Sequence, residues 1–112
     1  MAKGFRGMPG GMGNMGNLMA QAQKMQRDIE AAQAELKLMR IDGTSGGGQV
    51  KLTLGGDRLI YGLEIAKEVI DPEDPEMLAD LVIAAFNSAS SELERISSEK
   101  LDKITGGVKL PI

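Results

Sequence analysis

Seven apolar residues, Leu18, Ala22, Met25, Ile29, Ala32, Leu36 and Met39, recur at alternating steps of four and three without a miss. This is the a/d spacing of a coiled-coil seam, sustained over about three heptads. A stripe this narrow calls for a partner helix, and a small chain finds one in a second copy of itself. The spacing therefore predicts an elongated, dimeric protein built for contact, with Leu18, Ala22, Met25, Ile29, Ala32 and Leu36 as its dimerisation residues.

The rest of the composition agrees. A chain of 112 residues makes one domain with a modest core. Two Phe, one Tyr and no Trp leave Met, Leu, Ile, Val and Ala to fill it, which favours further burial at a subunit interface. Catalysis has little to work with. The absence of His and Cys removes the commonest general base, the thiol nucleophile and most transition-metal ligands. We therefore expect no catalytic residue, metal, cofactor or small-molecule substrate. Gly11, Gly13 and Gly16 match the spacing of a dinucleotide fingerprint, but no strand precedes them. Gly43 to Gly48 leads into a strand and not into a phosphate-binding helix, and reads as a flexible strand connection. The carboxylates Asp71, Glu73, Asp74 and Glu76 alternate with prolines, which fits a helix start better than a cation site. No apolar run approaches the roughly 20 residues of a membrane span, and no apolar segment follows Lys3 and Arg6 as in a signal peptide. A cytoplasmic protein with no membrane partner is expected.

Charge is unevenly spread. Thirteen Lys and Arg against 16 Asp and Glu give a formal net charge of −3. Up to Arg40, however, Lys3, Arg6, Lys24, Arg27, Lys37 and Arg40 outnumber Asp28, Glu30 and Glu35, and the balance reverses from Asp57 to Asp102. A basic N-terminal third inside an acidic chain fits either a polyanion partner or a solvated helix face.

Along the chain, Met1 to Gly16 is rich in Gly and Met and has no period, so it reads as a flexible arm. Residues 17–112 form the domain. Asn17 is placed to cap a first helix ending near Lys37. Strand patterns follow around Leu38 to Asp42, at Val50 to Leu54, and at Arg58 to Ile65, where Leu59, Tyr61, Leu63 and Ile65 alternate and Gly62 marks a bulge. Gly55-Gly56-Asp57 signals a hairpin. Asp74 and Pro75 then open a second long helix with a stripe of Leu78, Val82, Ala85, Ala89, Leu93 and Ile96, continued by Leu101 and Ile104 and stopped at Gly106. Its distal half is expected to project beyond the sheet. The fold class is α+β: long helix, three-stranded antiparallel meander, long helix.

This order of blocks resembles a known family. A Gln/Met-rich helix at Leu18 to Gln26 precedes Gly43-Thr-Ser-Gly-Gly-Gly-Gln-Val-Lys-Leu-Thr-Leu54. Then come Ile70-Asp-Pro72, Leu78 to Asn87, and Thr105-Gly-Gly107 with Leu110-Pro111. The pattern is similar to the YbaB/EbfC family of bacterial nucleoid-associated DNA-binding proteins. The resemblance implies an intertwined homodimer with projecting helix pairs and binding to double-stranded DNA with little or loose sequence preference. It also implies a role in nucleoid organisation, DNA protection and gene regulation.

Non-specific DNA binding draws on phosphate neutralisation. In a dimer, Lys24, Arg27, Lys37 and Arg40 of the first helix region, with Arg95, Lys100 and Lys103 of the second helix, are the residues placed to line a basic cleft. Each fits a solvated amphipathic face equally well. The competing class is a coiled-coil adaptor or chaperone-like module that grips another protein through its Met-rich helix, and salt dependence separates the two.

Overall fold

The computed structural model describes the backbone of residues 8–106 and the side chains of residues 15–106. Its elements are α1 (Met8–Leu38), β1 (Arg40–Ser45), β2 (Val50–Gly55), β3 (Ile60–Ile65) and α2 (Pro75–Thr105). The strands form one antiparallel sheet in the order β1-β2-β3. The expected helix–meander–helix order is present.

Helix α1 begins well before the expected cap, so Asn17 lies inside it. Pro9, in the first turn, has a backbone angle preset for a helix and lacks only an N–H that would be unbonded there anyway. The part of the expected arm before Met8 lies outside the described residues. At the other end of the domain, Asp74 caps α2 by accepting a bond from the Met77 N–H at 3.2 Å, with Pro75 at the first helical position. Gly106 closes α2 in the left-handed conformation, at φ 67°.

The core lies between α2 and one face of the sheet. Val50, Leu52 and Leu54 of β2 alternate inward and meet Ala85, Ala89 and Leu93 of α2, with Ile41 and Val69 completing the cluster. Alanines at the crossing let the helix approach closely, and Gly43 is their counterpart on β1. A Cβ at Gly43 would overlap the Ala85 carbonyl oxygen and the Ala89 backbone. Gly43 to Ser45 thus belongs to β1 and is not part of a loose connection, which is confined to the turn at Gly46–Gly48. Ser45 Oγ donates to the Leu81 carbonyl at 2.6 Å and fixes the far end of the crossing.

Moving back along the chain from Ser45 through Gly43 to Glu35 means moving forward along α2 from Leu81 through Ala89 to Lys100. The last third of α1 therefore runs antiparallel to the distal part of α2. The distal half of α2, expected to project beyond the sheet, is thus accompanied by α1. Ala32 and Leu36 are buried in this contact, Met25 and Ile29 are half-buried, and Leu18 and Ala22 are exposed. The apolar ladder is thus divided: its C-terminal part is covered by the chain's own α2, and its N-terminal part is bare.

The element that projects is α1. Its 31 residues span about 46 Å, and among the described residues its contacts with α2 fall in its last third, from Asp28 to Glu35. The molecule measures 87 × 21 × 17 Å, with a radius of gyration of 23.4 Å. A compact chain of this length would have a radius of gyration near 13 Å. The shape is that of a small α/β head with a long helical arm.

Candidate nucleic-acid interface

Three groups of cations sit in different electrostatic settings. On the arm, Lys24 and Arg27 are exposed and lie off the apolar stripe. Lys24 reaches Asp28 at 3.1 Å, with 72% of its side chain open to solvent. A surface pair of this kind contributes at most about 1 kcal/mol and gives way readily to a phosphate. Arg27 forms no ion pair among the described residues.

Along α2 the bases are engaged. Arg95 binds Glu92 on one side and Glu99 on the other, the latter at 2.7 Å. The Arg95 guanidinium, donating to Glu92, holds that carboxyl below its ordinary range, and the two carboxylates in turn raise the guanidinium. Lys100 bridges to Glu35 of α1 at 2.9 Å. These two helices enclose a shallow groove of about 310 Å³ lined by Asp28, Ala31, Ala32, Glu35, Lys100, Lys103 and Ile104, in which acids of α1 and bases of α2 both stand. Of the expected α2 bases, only Lys103 has no ion pair among the described residues.

The third group stands at the end of the sheet where α1 enters. Gly56 of the β2–β3 turn packs against the Leu36 carbonyl, and its N–H donates to the Met39 carbonyl at 3.0 Å. Arg40 pairs in register with Gly55. Its guanidinium lies 3.7 Å from the centre of the Tyr61 ring and donates to the Met39 carbonyl. Tyr61 reaches this position because the β2–β3 register slips at Thr53 and Leu54, pairing Ile60 with Leu54 and Gly62 with Thr53. The bulge turns Tyr61 to the open face, away from Leu63 and Ile65, whereas simple alternation placed all three together. Its hydroxyl donates to Asp57, which also accepts from the Leu59 N–H at 3.1 Å. The Tyr61 hydroxyl, with help from the Leu59 N–H and the Arg40 charge, lowers the Asp57 carboxyl, and the same bond raises the Tyr61 hydroxyl.

Asp74, Glu76 and Asp80 line a groove with Leu81, the residue bound by Ser45, and so stand at the opposite end of the sheet from Arg40 and Gly55. The rest of the open sheet face carries one base between two acids, with Lys51 at 3.7 Å from both Asp42 and Glu64.

The sequence matches the YbaB/EbfC DNA-binding family over residues 12–108. The chain belongs to that family. The YbaB/EbfC proteins are DNA-binding proteins rather than enzymes. Similar chains carry the name nucleoid-associated protein. One from Alkaliphilus metalliredigens is 45% identical over 109 residues, covering 97% of this chain and 95% of that protein. One from Acetivibrio thermocellus is 46% identical over 108 residues, covering 96% and 94%. One from Agathobacter rectalis is 48% identical over 103 residues, covering 91% of each. The helix–sheet–helix unit of this YbaB/EbfC chain, from the arm through α2, falls almost wholly inside the matched span. Among its described residues no helix is long and apolar enough to cross a membrane.

Sequence reading missed Tyr61, Asp57 and Arg58 of the hairpin end. The signal was present in the Gly55-Gly56-Asp57 turn beside Arg58, but the register slip that gathers these side chains is a pairing property and has no local signature.

Proposed function

We propose that this chain acts as a cytoplasmic, nucleoid-associated homodimer that binds double-stranded DNA with little or loose sequence preference. In doing so it alters DNA conformation and contributes to nucleoid organisation, DNA protection and regulation of gene expression. Family membership supports the DNA partner, and one structural observation supports the dimer. Met15, Leu18 and Met19 are 65%, 62% and 65% exposed, on an arm left uncovered among the described residues. The sheet repeats the message: Ile60 and Leu63 lie across from Leu54 and Leu52, on the side that α2 covers only over β1 and β2, and both are exposed. A second copy supplies the missing cover on both surfaces, with Leu18, Ala22, Met25 and Ile29 as its helical contacts.

Pairing two arms doubles Lys24 and Arg27 and brings the basic third of each chain together, so an acidic protein gains a locally positive surface. Phosphate contacts from such a surface position DNA without reading sequence. Residues 17–112 carry dimerisation and DNA binding in this scheme, and the 1–16 segment is dispensable for folding. The exposed methionines of the arm also fit the adaptor reading, since Met surfaces adapt to varied protein partners.

Light scattering and gel shift of Leu18→Lys test the scheme. Leu18 is exposed in the protomer, so the variant should fold, scatter as a monomer and shift duplex DNA poorly. A variant that remains dimeric places the interface elsewhere, and a parent protein that is a folded monomer removes the dimer altogether.

A further inference from the structure

Part of the positive charge expected on the helices is spent on carboxylates, and three of the unpaired cations are gathered at one end of the sheet. Lys24, Lys51, Arg95 and Lys100 are all in ion pairs. Among the described residues Arg27, Lys37, Arg40, Arg58, Lys67 and Lys103 have none, and of these Lys37, Arg40 and Arg58 belong to one place: the end of α1, the start of β1 and the β2–β3 turn that packs on both. The one acid on the turn, Asp57, is occupied on each oxygen, by the Leu59 N–H and by the Tyr61 hydroxyl.

Arg58 itself is held at a cost. The Arg58 N–H bonds to the Gly55 carbonyl at 2.9 Å and the Gly55 N–H to the Leu59 carbonyl at 2.8 Å, which defines a three-residue hairpin loop. The third residue of such a loop takes the left-handed conformation, for which glycine is the usual choice. Here it is Arg58, at φ 69°, the one positive-φ residue other than glycine among those described. A long cation occupies a position where a residue without a side chain would be less strained, and strain of this kind clusters at functional sites.

We propose that the β2–β3 hairpin end is a second DNA-contacting surface, in which Arg58, with Arg40 and Lys37 beside it, binds backbone phosphates apart from the arm. The proposal rests on the DNA-binding reading above and adds to it. Tyr61 holds the Arg40 guanidinium over its ring, and Asp57 anchors Tyr61, so the surface is pre-arranged. The acidic groove at the start of α2 lies at the other end of the sheet and does not repel a duplex approaching here. A duplex held by both surfaces touches the arm and the head of the same protein, and so is bent or bridged.

The test is Arg58→Gly in the full chain, because this change relieves backbone strain while removing the charge. The variant should melt at the parent temperature or above and keep the parent oligomeric state. Its binding to a fluorescein-labelled duplex should weaken, and the slope of log affinity against log salt should fall in magnitude by about 0.9 for each phosphate no longer neutralised. Lys37→Gln should lower the slope in the same way. A variant that binds like the parent at every salt concentration overturns the proposal and leaves the arm as the DNA site. A shift in oligomeric state also overturns it, by making the hairpin end a self-association surface. A parent protein that binds no duplex at low salt removes the DNA reading and this surface with it.

Discussion

The Lys100 ammonium lies 2.9 Å from the Glu35 carboxylate, and this pair joins two helices across 65 residues of chain. It sets where α1 lies on α2, and it also withdraws from solvent a cation that the sequence offers to DNA.

Replacing Glu35 by Gln separates these roles. The pair is partly exposed, so the loss of stability should be at most about 1 kcal/mol in urea unfolding. Released from its partner, Lys100 should then strengthen duplex binding and steepen its salt dependence. Unchanged DNA binding would mean that Lys100 serves the fold alone.

The crossing of Gly43 on Ala85 and Ala89 gives a sharper expectation. A methyl group at Gly43 meets backbone, which cannot step aside as a flexible side chain does. Gly43→Ala should cost about 2–3 kcal/mol, at the upper part of the range for overpacking. Gly16→Ala should do the reverse: a Cβ there meets nothing within 4 Å, inside a helix, and should raise helicity by circular dichroism with a gain of up to about 1 kcal/mol locally. A neutral Gly43→Ala would show that α2 does not sit as closely on β1 as described.

This contrast shows what was legible in the sequence. Periodicity revealed the element order, the α2 stripe and the caps at Asp74 and Gly106, because each depends on a local pattern. The start of α1 was hidden by its glycines, which lower helix propensity without forbidding a helix. Division of the Leu18–Met39 ladder was hidden for another reason: an a/d stripe specifies that a helix is covered, not whether its own chain or a second copy covers it. The bases were visible as residues, but their partners were not, since Glu35 pairs with Lys100 only after the sheet has reversed the chain.

At the hairpin, the sign of the pH response follows from the Asp57–Tyr61 bond. Asp57 is lowered, so its contribution is present above the ordinary carboxylate range and is lost as pH falls through the folded value. Tyr61 is raised, so its contribution is present below the ordinary phenol range and is lost as pH rises through its folded value. Tyr61→Phe should move the Asp57 titration midpoint upward, as read by carboxyl carbon shifts in NMR. An unmoved midpoint would mean that the hydroxyl does not hold Asp57 in solution.

DNA binding by phosphate neutralisation is tested most directly by titrating a labelled duplex with the parent protein and with Lys24→Ala/Arg27→Ala over a series of salt concentrations. The parent should bind at low salt and lose affinity steeply as salt rises. The double variant should keep the parent oligomeric state, bind all sequences more weakly and show a flatter slope, smaller by about one for each phosphate that is no longer neutralised. Affinity that does not change with salt would contradict phosphate binding and point to an apolar groove for a protein partner. A double variant indistinguishable from the parent would remove Lys24 and Arg27 from the interface.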